Sequence, residues 1–233
     1  MNVVISGASK GIGKAIALKF IKEGHYVAIC GRNAESLESF KLEANHINAS
    51  GKVITFKADM SIRKDVSSFA ESCIAEFGTI DILINNAGVF HPGKVTEEED
   101  GKLEKMIETN LYSAYHLTRG IMPHMKHSIK PHIFNICSIA SKIAYPNGGS
   151  YSISKFALLG FSKVLREELK DKGIKVTAVL PGATWSDSWA GVDLPFERLM
   201  AANDIADVVY NTYQLGPSAV VEEIIIRPLE GDL

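Results

Sequence analysis

The chain predicts a three-layer α/β/α fold, a doubly wound and mostly parallel sheet of about seven strands between two layers of helices. Two observations predict it. Short β-branched runs, almost continuously apolar, alternate with longer segments whose apolar residues recur at helical spacing. The turn after the first run is glycine-rich and opens straight into the first helix.

The strand-like runs are Asn2–Ser6, Tyr26–Cys30, Val53–Lys57, Ile80–Asn85, His132–Cys137, Lys175–Leu180 and Val220–Arg227. Between them, Ile12, Ile16 and Phe20 share one face of the first helix, and Gly24 suits its C-terminal exit. Ser61 is placed to cap the third helix, which stops at Gly78. Thr96 followed by Glu99 reads as a capping box opening a long helix towards Met125. Gly173 follows the helix that carries Tyr151. Residues 184–198 are the least regular stretch and read as a substrate lid, and the whole of 1–233 reads as one domain.

With 233 residues the chain is long enough to bury a large α/β core, and 46% hydrophobic against 22% charged residues is the balance of a soluble protein. A formal charge of −2 gives no reason to expect nucleic acid or an anionic membrane as partner. No apolar run approaches the ~18 residues of a membrane span, and a first strand beginning at Asn2 leaves no room for a signal peptide. Cys30, Cys73 and Cys137 are widely spaced in apolar stretches and read as reduced core residues, which makes the cytoplasm the expected compartment. His91, His116, His124, His127 and His132 show no metal-site spacing and read as surface or packing residues, so no metal is expected.

The motifs carry more. Gly7-Ala8-Ser9-Lys10-Gly11-Ile12-Gly13 follows the first strand, where glycines let the backbone turn tightly and approach a pyrophosphate at a helix N-terminus. This is the signature of a Rossmann-type dinucleotide site. The second strand ends Cys30-Gly31-Arg32-Asn33, with no acid for the ribose diol of NAD. Arg32 offers a fork that suits a 2′-phosphate and Lys10 adds a second positive charge, so NADP(H) is favoured over NAD(H). Tyr151 and Lys155 stand four apart, on one helix face. An ammonium beside a phenol lowers the phenol's pKa, which brings Tyr151 towards use as a general acid/base.

Taken in order, these motifs resemble the short-chain dehydrogenase/reductase (SDR) family over essentially the whole chain. The glycine turn is followed by Asp59 after the third strand, Asn85-Asn86-Ala87-Gly88 after the fourth, and Asn110 on the long helix. Ser138 ends the fifth strand, then come Tyr151 with Lys155, and Pro181-Gly182 ends the sixth. The resemblance implies that Asn110, Ser138, Tyr151 and Lys155 form a catalytic tetrad. Ser138 would polarise a carbonyl and Tyr151 would exchange its proton. Lys155 would hold the nicotinamide ribose, and Asn110 would help hold a water. It also implies that Asp59 and Met60 contact the adenine, that Asn86, Ala87 and Gly88 line the cofactor, and that Pro181, Gly182 and Thr184 border the nicotinamide. Ser6 stands where the family usually has Thr, with the hydroxyl retained.

The C-terminal Val221–Pro228 run lacks the Gly-Gly ending of acyl-carrier-protein reductases. With Pro181-Gly182-Ala183-Thr184-Trp185 and Trp189, it is more similar to bacterial sepiapterin reductase-like members. The expectation is hydride transfer between NADP(H) and a small-molecule carbonyl/alcohol pair, by a sepiapterin-type or general carbonyl reductase. A 3-oxoacyl thioester reductase and a non-catalytic, redox-sensing NADP-binding regulator are the alternatives. Phe90, Ser138, Ile139, Tyr145, Trp185 and Trp189 are the expected substrate lining, and Asp232 reads as a frayed terminal charge, the alternative being that the C-terminus folds over the pocket and Asp232 reaches a substrate nitrogen. The resemblance further implies a homotetramer or homodimer.

Overall fold

The structure, a computed structural model, describes residues 1–47, 52–186 and 191–232, so Trp189 and part of the 184–198 segment lie outside the described residues. Seven strands form one sheet: β1 (Asn2–Ile5), β2 (Tyr26–Gly31), β3 (Val53–Lys57), β4 (Ile82–Asn85), β5 (His132–Ile136), β6 (Lys175–Pro181) and β7 (Glu223–Ile226). Their order is β3-β2-β1-β4-β5-β6-β7, and every pairing is parallel. The sheet is the Rossmann-type α/β architecture expected from the alternation of patterns.

Successive strand residues face opposite ways, and the core divides accordingly. Val3 and Ile5 of β1 join a cluster with α1 (Gly11–Lys22), α2 (Ala34–Ile47) and α7 (Ala202–Gln214). Val4 joins the opposite cluster, with α3 (Arg63–Phe77), α5 (Ser113–Met125) and α6 (Gly149–Leu169). Phe20, on the apolar face foreseen for α1, is fully buried and meets Tyr210 of α7 edge-on at 5.3 Å. Truncating such a ring to alanine costs about 3–5 kcal/mol. Cys30, Cys73 and Cys137 are buried free thiols. Among the described residues no helix is long and apolar enough to cross a membrane.

Two helix starts differ from expectation. Thr96 and Glu99 do not form a capping box: helix α4 (Lys102–Ile107) begins later, behind a left-handed Gly101. The helical path then widens into a π-turn, Glu108–Tyr112, before α5. Ser61 does not cap α3 either. Ile62 is the N-cap, and the Ser61 hydroxyl donates instead to Asp59 Oδ1 at 2.8 Å.

Candidate active site

The strand order reverses at β1, whose neighbours are β2 and β4, so the carboxyl ends of β1 and β4 open a crevice at the switch point. The glycine turn and the Asn86–Gly88 turn meet there. Ser6 Oγ accepts the N–H groups of both Asn86 and Ala87, each at 3.1 Å. The Asn86 amide donates in return to the carbonyls of Ser6, at 3.0 Å, and Gly7, at 2.8 Å. A Cβ on Gly7, at φ 64°, would stand 2.8 Å from the Ala87 Cα, and one on Gly13 would stand 2.3 Å from the Asn86 amide nitrogen. Only glycine permits this closeness. The N-cap of α1, Lys10, is extended with no side-chain capping bond, and the first turn, Gly11 to Gly13, opens just beyond the carboxyl end of β1, where a helix N-terminus favours an anion. Ser9 packs against the end of β2, where a Cβ on Gly31 would meet its Oγ at 2.8 Å.

Beyond β2, Arg32 is exposed, and Asn33 spends its side-chain oxygen on the Ser36 N–H at 2.7 Å, capping α2. The strand end therefore carries no carboxylate. Asp59 follows β3, with Met60 buried beside it. Burial pushes the Asp59 carboxyl up, but the N–H and hydroxyl of Ser61, with the charges of Arg32 and Lys105, outweigh that and hold it below the usual carboxylate range.

Asn110 sits in the π-turn, fully buried. Its Oδ1 accepts from Val89 N at 2.7 Å, and its Nδ2 donates to Val89 O at 3.0 Å and Ser154 Oγ at 2.8 Å. Both amide protons are thus spent on protein, and one lone pair of Oδ1 is left for a water. Ser138 caps a short 3-10 turn that contains Ile139. Its Oγ accepts from Ala140 N at 3.1 Å while the Ser141 hydroxyl accepts from Ser138 N at 3.2 Å.

Helix α6 brings Tyr151 and Lys155 onto the same side, but not in the electrostatic relation their spacing suggested. Lys155 Nζ donates to the Ile136 carbonyl at 2.9 Å and lies 5.8 Å from the Tyr151 ring centroid. Part of the Tyr151 side chain reaches the surface, yet the protein packed around it raises the phenol's pKa by desolvation, and the Ser138 hydrogen bond offsets only part of that rise. The expected depression by Lys155 is absent because the ammonium turns to a carbonyl. Burial lowers Lys155 itself to about 8. Gly88 is exposed, and a Cβ on it would lie 3.4 Å from Asn110 Oδ1 and 3.5 Å from Lys155 Nζ, so both groups lie directly beneath this surface turn.

Aromatic side chains and one carboxylate from the chain's end lie around Tyr151 and the Pro181-Gly182 turn. Phe90 meets the Tyr151 ring edge-on at 4.9 Å. Burial pushes the half-exposed Tyr145 up to about 12, with Tyr151 and Asp232 adding to the effect. Trp185 stacks on Phe196 at 6.1 Å and donates its indole N–H to the Phe196 carbonyl at 2.7 Å, which makes it a tie across the irregular segment. Thr184 is buried and donates to the Gly182 carbonyl at 3.0 Å. Asp232 is not a frayed charge. Its carboxylate accepts the Ala183 N–H at 2.8 Å and pairs with Arg227 at 2.6 Å, folding the tail over Pro181-Gly182, where a Cβ on Gly182 would meet it at 2.0 Å.

A short chain dehydrogenase family model matches residues 1–194. The chain belongs to the short-chain dehydrogenase family. A sepiapterin reductase of Chlorobaculum tepidum is 34% identical over 99% of this chain and 97% of its own. An alcohol dehydrogenase of Thermococcus sibiricus, solved with 5-hydroxy-NADP, superposes with a TM-score of 0.89 at 26% identity, covering 98% of this chain and 96% of that one. A metagenomic short-chain oxidoreductase solved with NADP gives a TM-score of 0.83 at 30% identity, over 98% and 96%. Of the residues singled out by sequence, the glycine turn, Asn86 to Gly88, Asn110, Ser138, Tyr151 and Lys155 gather at the carboxyl end of the sheet. Ser154, Gly31, Glu98 and Asp232 join them only through contacts distant in sequence.

Proposed function

We propose that the protein is an NADP(H)-dependent oxidoreductase that interconverts a small-molecule carbonyl and its alcohol. The observation that carries this reading is the meeting of Ser138, Tyr151 and Lys155 beside a glycine-built cradle, with Lys155 Nζ and Asn110 Oδ1 directly beneath the exposed Gly88. The cradle fits a dinucleotide: Gly7 and Gly13 leave the backbone no room for a side chain, and the first turn of α1 faces outward for phosphate. When bound, the nicotinamide supplies the hydride.

The chain's own groups handle the proton and the oxygen. Ser138 Oγ donates to the carbonyl oxygen and polarises it. Tyr151, kept protonated by burial, donates its phenolic proton as negative charge builds on that oxygen. Lys155, with a pKa near 8, is charged at neutral pH, and two of its protons remain for ribose hydroxyls after the bond to Ile136. In the oxidative direction the hydrogen bond with Ser138 is what favours a Tyr151 phenolate.

Arg32 and Lys10, with no acid at the end of β2, support NADP(H) over NAD(H). The likeness to a sepiapterin reductase and the aromatics Phe90, Tyr145 and Trp185 support a sepiapterin-type or general carbonyl substrate. The reading takes 1–233 as one NADP-binding unit with 184–198 as its lid. It includes a homotetramer or homodimer, supported by exposed Tyr112 and Tyr115 before and on α5 and by Phe156 and Val164 on α6. It also includes a cytoplasmic setting, supported by three free thiols.

Oxidation of NADPH and NADH against diketones, sepiapterin and acetoacetyl thioesters tests it. We expect NADPH-dependent turnover, and in Arg32→Ala about a tenfold higher KM for NADPH with NADH unchanged, as for loss of one charged phosphate contact. An unaltered preference would make Arg32 a surface cation only. Tight NADPH binding with every carbonyl refused would favour the regulator.

A further inference from the structure

Helix α6 delivers Tyr151, yet it begins without any cap of its own. Its N-cap is Gly148, which has no side chain, and its first turn holds no acidic residue. The orphan N–H groups of a helix start need an acceptor. One arrives from a segment far away in sequence: Glu98 Oε1 accepts the Ser150 N–H at 3.2 Å, and Glu98 Oε2 accepts a short hydrogen bond from the Ser150 hydroxyl. Ser150 immediately precedes Tyr151.

The backbone is shaped around this carboxylate. A Cβ on Gly149, at φ 34°, would stand 2.2 Å from Glu98 Oε1 and 2.4 Å from the Gly93 carbonyl oxygen. One on Gly93 would stand 2.8 Å from Glu98 Cγ. Asn147, at φ 61°, takes a left-handed conformation that places its carbonyl to accept the Gly93 N–H at 3.0 Å. The same segment starts at Val89, fixed at both its N–H and its carbonyl by Asn110, and carries Phe90 against the Tyr151 ring. It therefore touches the Tyr151 turn twice, through a ring on the side chain and through a carboxylate on the preceding residue. A carboxylate at a helix N-terminus is favoured by the helix dipole, and its hydrogen bonds are charge-assisted. Consistently, the bonds from Ser150 hold the Glu98 carboxyl below its ordinary range.

We propose that Glu98 is a positioning residue for Tyr151, latching the 89–98 segment to the first turn of α6 so that the phenol and the Phe90 wall of the substrate pocket keep one geometry. This rests on the acid/base reading of Tyr151.

The test compares Glu98→Ala with Glu98→Gln in the full-length protein. Gln still accepts the Ser150 N–H, so kcat for carbonyl reduction stays within about threefold of wild type, whereas Ala loses about tenfold in kcat, as for a reacting group displaced by a fraction of an ångström. The KM for NADPH stays within about twofold in both. Hydrogen exchange at the Ser150 and Tyr151 amides accelerates by about tenfold in Ala. Wild-type kcat in Glu98→Ala overturns the proposal, as does equal loss in both variants tracking a fall in folded protein. Ser150→Ala, which spares the backbone half of the latch, lowers kcat by about threefold and serves if Glu98→Ala does not fold. Unchanged kcat there would then overturn the proposal. If wild type reduces no carbonyl, the functional reading has failed, and unchanged amide exchange in Glu98→Ala is the result that sinks the latch.

Discussion

Lys155 and His132 are two buried bases at opposite ends of one strand, and only one of them belongs to a site. His132 opens β5, and Lys155 bonds to the carbonyl of Ile136, which closes it, about 13 Å away at ~3.3 Å per residue. Burial lowers both, Lys155 to about 8 and His132 to about 3, the latter helped by Lys175 and Lys130. Their surroundings differ. His132 stacks on Phe134 at 3.9 Å and bonds through Nε2 to Thr177 Oγ1 at 2.8 Å. Thr177 spends its own proton on Val221 O at 2.6 Å, so His132 must be the donor, and its Nδ1 is left buried without a partner. Lys155 instead lies just beneath Gly88, which is exposed. A shifted pKa marks burial; a shifted pKa beside an opening marks a candidate site.

Variants can break or sharpen this contrast. Tyr151→Phe removes the proton donor at the open end, and we expect carbonyl reduction to fall about a thousandfold with NADPH affinity within about twofold. Near-normal turnover would reject the acid/base role.

Lys155→Met should cost about a hundredfold in turnover while stabilising the protein by about 1–3 kcal/mol at pH 7. The sign follows from its lowered pKa. Between about 8 and the ordinary 10.5 the unfolded chain binds more protons, so wild-type stability rises with pH across that window, and below it the penalty is constant. Urea unfolding from pH 7 to 10 reads both, and Lys155→Met should lose the rise.

His132→Phe should leave turnover at pH 7 within about twofold, because its ring touches only packing partners. The neutral wild-type imidazole is fully tolerated above its ordinary 6.5, and that contribution is lost as pH falls through the window down to about 3, by at most about 5 kcal/mol. The variant should unfold at lower pH than wild type. Loss of activity at pH 7 in a folded His132→Phe would collapse the contrast.

Strands were legible in the sequence to within a few residues because their runs are β-branched and, for the inner five, buried on both faces; β3 and β7 are half-buried edges. The glycine turn was legible because it is a short motif beside a strand, whereas Asn110, Ser138, Tyr151 and Lys155 were brought together by the family resemblance and not by any one motif. What stayed hidden depends on partners far along the chain. Thr96 and Glu99 have the form of a local capping box, but Glu98 beside them is drawn to Ser150, and α4 starts later. A one-residue widening at Asn110 leaves apolar spacing intact, so the π-turn had no periodic signature. The i,i+4 spacing put Tyr151 and Lys155 on one face without fixing where the ammonium points. Asp232 is ordered by Ala183 and Arg227, and no pattern near residue 232 announces either.

The bonds from Asn86 and Ala87 to Ser6 have a consequence for biosynthesis. The glycine turn leaves the ribosome well before its clamp, which is supplied by a segment some eighty positions later. A nascent chain that ends before Asn86 can pair β1 with β2 and form α1, yet lacks the groups that hold the turn in shape. Competence to grip a dinucleotide therefore arrives when β4 docks, so a cofactor cannot act as a template for the earliest folding steps and can only trap a half-built sheet.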